Sequence, residues 1–120
     1  MIAASVLCLA QVLYYEARSE SVEGQLLVAE VVLNRTVSEE FSNSTCGVVY
    51  QEGQFSWARD PPEILEEKEW LAAVQLASEI LQGGQELLGT EALYFHSGSP
   101  EKFFNSRELL GQYGQHTFYK

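Results

Sequence analysis

Residues 12–25, VLYYEARSESVEGQ, set Tyr14 and Tyr15 directly before Glu16, with Glu20 and Glu23 close behind. A carboxyl group packed against aromatic rings loses hydration, and its charged form is disfavoured. A carboxyl that stays neutral can protonate a leaving group, which breaking a glycosidic bond requires. Glu16 is therefore a candidate proton donor. The competing reading is an ordinary solvated charge at a helix end. Glu20 lies one helical turn further on. It is either a second carboxylate or a capping charge in a break between helices, and its position in that break favours the structural role. A second group lies at residues 54–57, QFSW. Gln54 and Ser56 offer hydrogen bonds to sugar hydroxyls, and Phe55 and Trp57 offer ring faces, unless those rings pack on the core. Tyr94 and His96 in LYFHSG, and His116 near the end, complete the candidates. Two distant histidines make a weak metal site. No nucleophile elbow, glycine-rich phosphate loop or Cys–His arrangement stands out, so neither metal nor cofactor is expected.

Helices should carry most of these residues. Ala3, Leu7, Ala10 and Leu13 recur at helical spacing and predict a largely buried helix over 2–15. Ser21 can cap a second helix, over 22–35, whose Leu26, Ala29, Val32 and Leu33 share a face. Residues 38–47 read as loop. VVYQ and QFSW flank Glu52–Gly53 and predict a short hairpin. Pro61 and Pro62 break the chain, and a third helix is expected over 62–81, ended by Gly83 and Gly84. EALYFH and QHTFY read as short strands, and residues 97–114 between them as an irregular segment with at most one helical turn. The expected class is α+β, mainly helical with a small β element, in a single domain over 1–120.

The charge is −10, from 7 Lys and Arg against 17 Asp and Glu. Such a balance opposes nucleic-acid binding and binding to anionic membranes. The N-terminal apolar run has no basic n-region and is too short to span a bilayer, so it reads as a structural helix without a signal peptide. Leu7 before Cys8 is a poor lipoprotein cleavage site. Cys8 and Cys46 are either two buried thiols or one disulfide tying the first helix to the loop before GVVY.

Taken in order, LCLAQVLYYEARSESVEGQLLVAEVVLNR, FSNSTCGVVYQEGQFSW, ALYFHS and GQHTFY resemble the catalytic domain of the SleB-like cell wall hydrolases. That family comprises spore cortex-lytic enzymes and related bacterial and phage muralytic proteins. The resemblance runs over about residues 7–119 and is most specific over 14–35. It implies a lysozyme-like α+β fold that cleaves peptidoglycan glycan strands between N-acetylmuramic acid and N-acetylglucosamine. Spore members act as lytic transglycosylases and leave 1,6-anhydro ends. By this resemblance Glu16 is the general acid and base; if a second carboxylate acts, Glu20 is the first candidate. Tyr15, Gln54, Phe55, Ser56 and Trp57 are expected to contact substrate, with Tyr94 and His96 on the opposite wall. His-Ser stands at 96–97 where longer spore-type members commonly have Asn-Pro. The alternatives are water attack on the same bond, as in a muramidase, or a non-catalytic glycan-binding or virion structural protein. The expected partner is peptidoglycan alone, bound by a monomer at the cell wall. The chain would be phage-delivered, like an endolysin, or trimmed from a longer bacterial protein.

Overall fold

A computed structural model describes residues 2–97 and 106–120. Its elements, in chain order, are α1 (Ala4–Ala17), α2 (Val22–Thr36), α3 (Thr45–Val49), α4 (Glu67–Leu81), β1 (Tyr94–Ser97), β2 (Leu109–Tyr113) and β3 (His116–Tyr119). Helix α1 is the axis of the fold and packs against α2, α3 and α4. Its Leu9, Ala10, Val12, Leu13 and Ala17 are fully buried, and Cys8 is buried. A helix apolar on most of its circumference belongs inside, surrounded by others. Among the described residues no helix is long and apolar enough to cross a membrane.

The first two helices form within two residues of the expected bounds. The Ser21 hydroxyl caps α2 by accepting from Gly24 N–H at 3.3 Å. Glu23 in the first turn and Arg35 in the last complement the helix dipole. The third expected helix is α4, and it starts five residues late. Residues 61–66 instead run as an extended strap across α1. The Tyr15 hydroxyl donates to Pro62 O, and Glu66 N–H donates to the Tyr14 hydroxyl at 3.0 Å. Two prolines followed by a side-chain tether leave that stretch no route into a helix. Gly83, at φ 82°, follows the last turn of α4.

The expected hairpin around Glu52–Gly53 is absent. Val48 and Val49 lie in α3 with no exposure, and Ser44 caps that helix by accepting from Gly47 N–H at 3.0 Å. Burial and capping override the strand preference of the valine pair. Successive tight turns follow, closed by Gln51 N–H to Val48 O, Gln54 N–H to Gln51 O and Ala58 N–H to Phe55 O. The Cys8 and Cys46 sulfurs are joined, fastening α3 to α1 with Cα atoms 5.3 Å apart.

The sheet is antiparallel in the order β1-β3-β2. Strands β1 and β3 fall where expected. Leu109–Tyr113, expected to be irregular, is a strand, while residues 98–105 of that segment lie outside the described residues. Strand β2 turns into β3 through Gly114, whose φ of 59° is what the first position of a tight hairpin turn requires. The buried face of α2 holds the sheet's approach by polar contacts. Glu30, 2% exposed, accepts from Gly89 N–H (2.7 Å), Thr90 N–H (2.9 Å) and the Thr90 hydroxyl. The Asn34 amide donates to Thr90 O and Ala92 O, and Arg35 Nε donates to Leu93 O at 2.8 Å. These bonds satisfy backbone groups of the segment 89–93 and deliver the chain into β1.

Candidate active site

The three carboxylates after the tyrosine pair do different work. Glu16, half-buried near the C-terminal end of α1, lines a cleft of about 870 Å³. The turns after α3 form the rest of that cleft, including Tyr50, Glu52, Gln54, Phe55, Ser56 and Arg59. Glu16 also lines a second, more polar cleft of about 460 Å³, with Tyr15, Arg18, Ser19, Glu66 and Glu69. Glu16 is thus the residue shared by two adjoining depressions.

Glu20 lines neither cleft. Its Oε1 accepts from Gln115 N–H at 2.8 Å and lies 3.3 Å from Nδ1 of the buried His116, an approach without hydrogen-bond geometry. Glu23 accepts from the Tyr113 hydroxyl at 2.7 Å. Both carboxylates fasten the β2–β3 turn to the α1–α2 elbow, which agrees with the structural reading of Glu20 from its place in the helix break.

A row of rings positions Glu16. Trp70 meets Tyr14 edge-on at 5.9 Å, Tyr14 meets Tyr15 at 5.1 Å, Tyr15 lies 4.8 Å from Trp57, and Trp57 stacks on Phe55 at 5.3 Å. Trp57 Nε1–H donates to Glu16 Oε1 at 3.3 Å. Trp57 lines neither of the two clefts. Burial, reinforced by the neighbouring Tyr14 and Tyr50, pushes the Tyr15 hydroxyl up, so it remains a protonated donor to Pro62. Arg18 closes the other side. It pairs with Glu66, donates to Tyr14 O at 2.9 Å and lies 4.6 Å over the Tyr14 ring.

Of the residues singled out from sequence, Glu16, Gln54, Phe55 and Ser56 come together in the larger cleft, and Tyr15 joins Glu16 in the smaller one. Tyr94 and His96 line neither. Tyr94 lies between the guanidinium groups of Arg35 (5.4 Å) and Arg107 (4.2 Å). His96 stacks on Tyr119, with its Nε2 2.9 Å from the Tyr119 hydroxyl. Sequence reasoning missed Tyr50, Glu52 and Arg59 as cleft residues. Tyr50 and Glu52 flank the quoted QFSW motif, and a helix-then-turn reading of 45–59 would have turned them toward Glu16. It also missed Arg35, 4% exposed, which lies over the rings of Phe41, Phe55 and Tyr94. Burial draws its guanidinium down to about 10, and it remains a cation at neutral pH.

Solved structures share this fold. The catalytic domain of the germination-specific lytic transglycosylase SleB from Bacillus anthracis superposes with a TM-score of 0.75 and 29% identity, covering 97% of this chain and 93% of that one. The SleB catalytic domain of Bacillus cereus gives 0.66 and 27%, covering 100% and 93%. The fold is therefore the lysozyme-like one. The spore cortex-lytic enzyme of Bacillus subtilis is 31% identical over 112 residues, which is 92% of this chain but 35% of that protein. The chain thus spans about a third of the length of that curated relative, and 42% of the Bacillus cereus enzyme. The cell wall hydrolase family matches residues 19–119, starting just after Glu16 and including the α2 contacts, the cleft turns and the sheet. With that match over most of its length, the chain belongs to the cell wall hydrolase family.

Proposed function

We propose that this domain cleaves the glycan strands of peptidoglycan at the cell wall, as a lytic transglycosylase with Glu16 as its general acid and base. The observation that carries the reading is the place of Glu16, the residue common to two adjoining clefts that together can seat sugars on both sides of a scissile bond. Neutral Glu16 gives its proton to the oxygen joining N-acetylmuramic acid to N-acetylglucosamine. The bond from C1 to that oxygen breaks, and positive charge develops at C1. The muramoyl 6-hydroxyl attacks C1 and passes its proton to the Glu16 carboxylate. The products are a 1,6-anhydro end and a free hydroxyl on the departing sugar, with the acid restored. One carboxylate suffices. Gln54 and Ser56 reach the larger cleft as hydrogen-bond partners for sugar hydroxyls.

A second reading, water attack, is favoured by one observation. Glu52 lines the same cleft as Glu16, whereas Glu20, the first sequence candidate for a second carboxylate, does not. Digestion of purified sacculi followed by mass spectrometry separates the readings. Anhydro-muropeptides support the transglycosylase, reducing ends support a muramidase using Glu52, and an unchanged digest supports a binding protein. E16Q should lower cleavage by at least about a hundredfold, within the range general acid catalysis contributes, while its circular dichroism stays that of the wild type. Wild-type turnover by E16Q refutes the assignment.

A further inference from the structure

We infer that Trp57 is a positioning residue for the Glu16 carboxyl, selecting which of its two oxygens carries the proton; this rests on the reading of Glu16 as the acid. Sequence reasoning places Trp57 among the sugar-stacking residues, but its side chain lines neither cleft. The indole is already packed against two rings, Tyr15 at 4.8 Å with a tilt of 36° and Phe55 stacked at 5.3 Å. Tyr15 is itself anchored through its hydroxyl to Pro62 O, and Phe55 is 7% exposed. The indole is therefore clamped, and its one polar atom points at Glu16 Oε1.

An indole N–H can only donate. Its partner oxygen accepts, and the carbonyl oxygen of a neutral acid is a stronger acceptor than its hydroxyl, so the bond favours the form with Oε1 as carbonyl and the proton on Oε2. The two oxygens of the carboxyl are thereby made unequal toward the leaving group. As the proton departs, charge spreads to Oε1, and the same N–H bond becomes charge-assisted and stronger. A donor that gains strength as charge develops stabilises the transition state more than the ground state. Packing against two rings holds the donor in place, so it needs little reorganisation at that moment.

The test uses the full chain with W57F and, as an isosteric form, a tryptophan analogue at position 57 with sulfur in place of the ring N–H. Two readouts are measured: kcat and KM on soluble glycan strands across pH, and the titration of the Glu16 carboxyl followed by carbon-13 NMR. Losing the donor disfavours the carboxylate, so the carboxyl holds its proton to higher pH. The NMR midpoint and the alkaline limb of the activity profile should both move up, and kcat should fall about tenfold or more with KM little changed. The isosteric form should show these effects even where W57F disturbs the ring row. A raised KM with unchanged kcat, midpoint and pH profile would make Trp57 a substrate contact and overturn the inference. E16Q in the same assay separates the two levels. An inactive E16Q with a wild-type analogue-bearing enzyme overturns the Trp57 role alone, whereas an active E16Q overturns the acid assignment as well.

Discussion

Removing both cysteines, as in the C8A/C46A double variant, tests how the cleft is held in register with its acid. The bridge joins residues 38 apart in sequence, and cross-linking a loop of that size removes about 13 cal/mol/K from the unfolded chain, or about 4 kcal/mol at 25 °C. With an unfolding entropy typical of 120 residues, the midpoint should fall by about 15 °C. That is a large share of the stability of a domain this size. The loss should also be local in its effect. Cys8 lies in α1, which carries Glu16, and Cys46 lies in α3, which leads directly into the cleft turns. Thermal melts of oxidised wild type, reduced wild type and the double variant measure the first effect, and sacculus clearing well below the midpoint measures the second. Equal midpoints for the oxidised protein and the double variant would refute the reasoning, because they would mean that the bridge constrains nothing the packing does not already hold.

Three further outcomes follow from the same contacts. Gly114→Ala would place a Cβ 2.5 Å from Glu20 Oε1 at a backbone φ of 59°, so it should cost about 1–3 kcal/mol, read in urea melts. Glu30→Ala leaves Gly89 N–H, Thr90 N–H and the Thr90 hydroxyl without their buried acceptor and should cost about 3 kcal/mol or more, with hydrogen exchange rising first over 89–93. Tyr15→Phe removes one hydrogen bond and should cost about 1 kcal/mol at neutral pH. Burial raises the Tyr15 hydroxyl above its ordinary 10.0, so as pH climbs through that value the unfolded chain ionises first and the folded state loses stability. The phenylalanine variant lacks that loss, and the gap between the two proteins should close in alkaline melts.

The parts of the site that were legible in sequence are those whose partners are local. Glu16 stands beside Tyr14 and Tyr15 in the chain, and Tyr15 shares the smaller cleft with it. Ser21 caps its own helix within three residues. The Trp57 donor to Glu16 spans 41 residues, and nothing in QFSW distinguishes an indole that stacks on sugar from one that points back at an acid. Glu30, Asn34 and Arg35 look like the polar face of an exposed helix. They are instead bound to the backbone of 89–93, some sixty residues away, where burial reverses the usual meaning of charge. The valine pair at 48–49 misleads because strand preference is a statement about half-buried pleated surfaces, and here both side chains are wholly inside. Strand β2 was hidden by its own exposure, since all five residues face solvent and show no alternation. Its one signal was Gly114 between Tyr113 and the HTFY strand.

Strand β3 is the middle strand of the sheet and the last of these elements to be made. Every other strand pairs through it, and the bond from Gln115 to Glu20 closes a span of 95 residues. During synthesis the four helices therefore leave the ribosome before the β2–β3 turn that fastens the α1–α2 elbow exists. The helical half already contains long-range packing, α1 against α4, whereas the strands of the sheet pair with near neighbours in sequence; the long-range step left for the end is the docking of the β2–β3 turn on the α1–α2 elbow. Until β3 arrives, β1 and β2 are two unpaired edges, the form of chain most prone to pair with a neighbour.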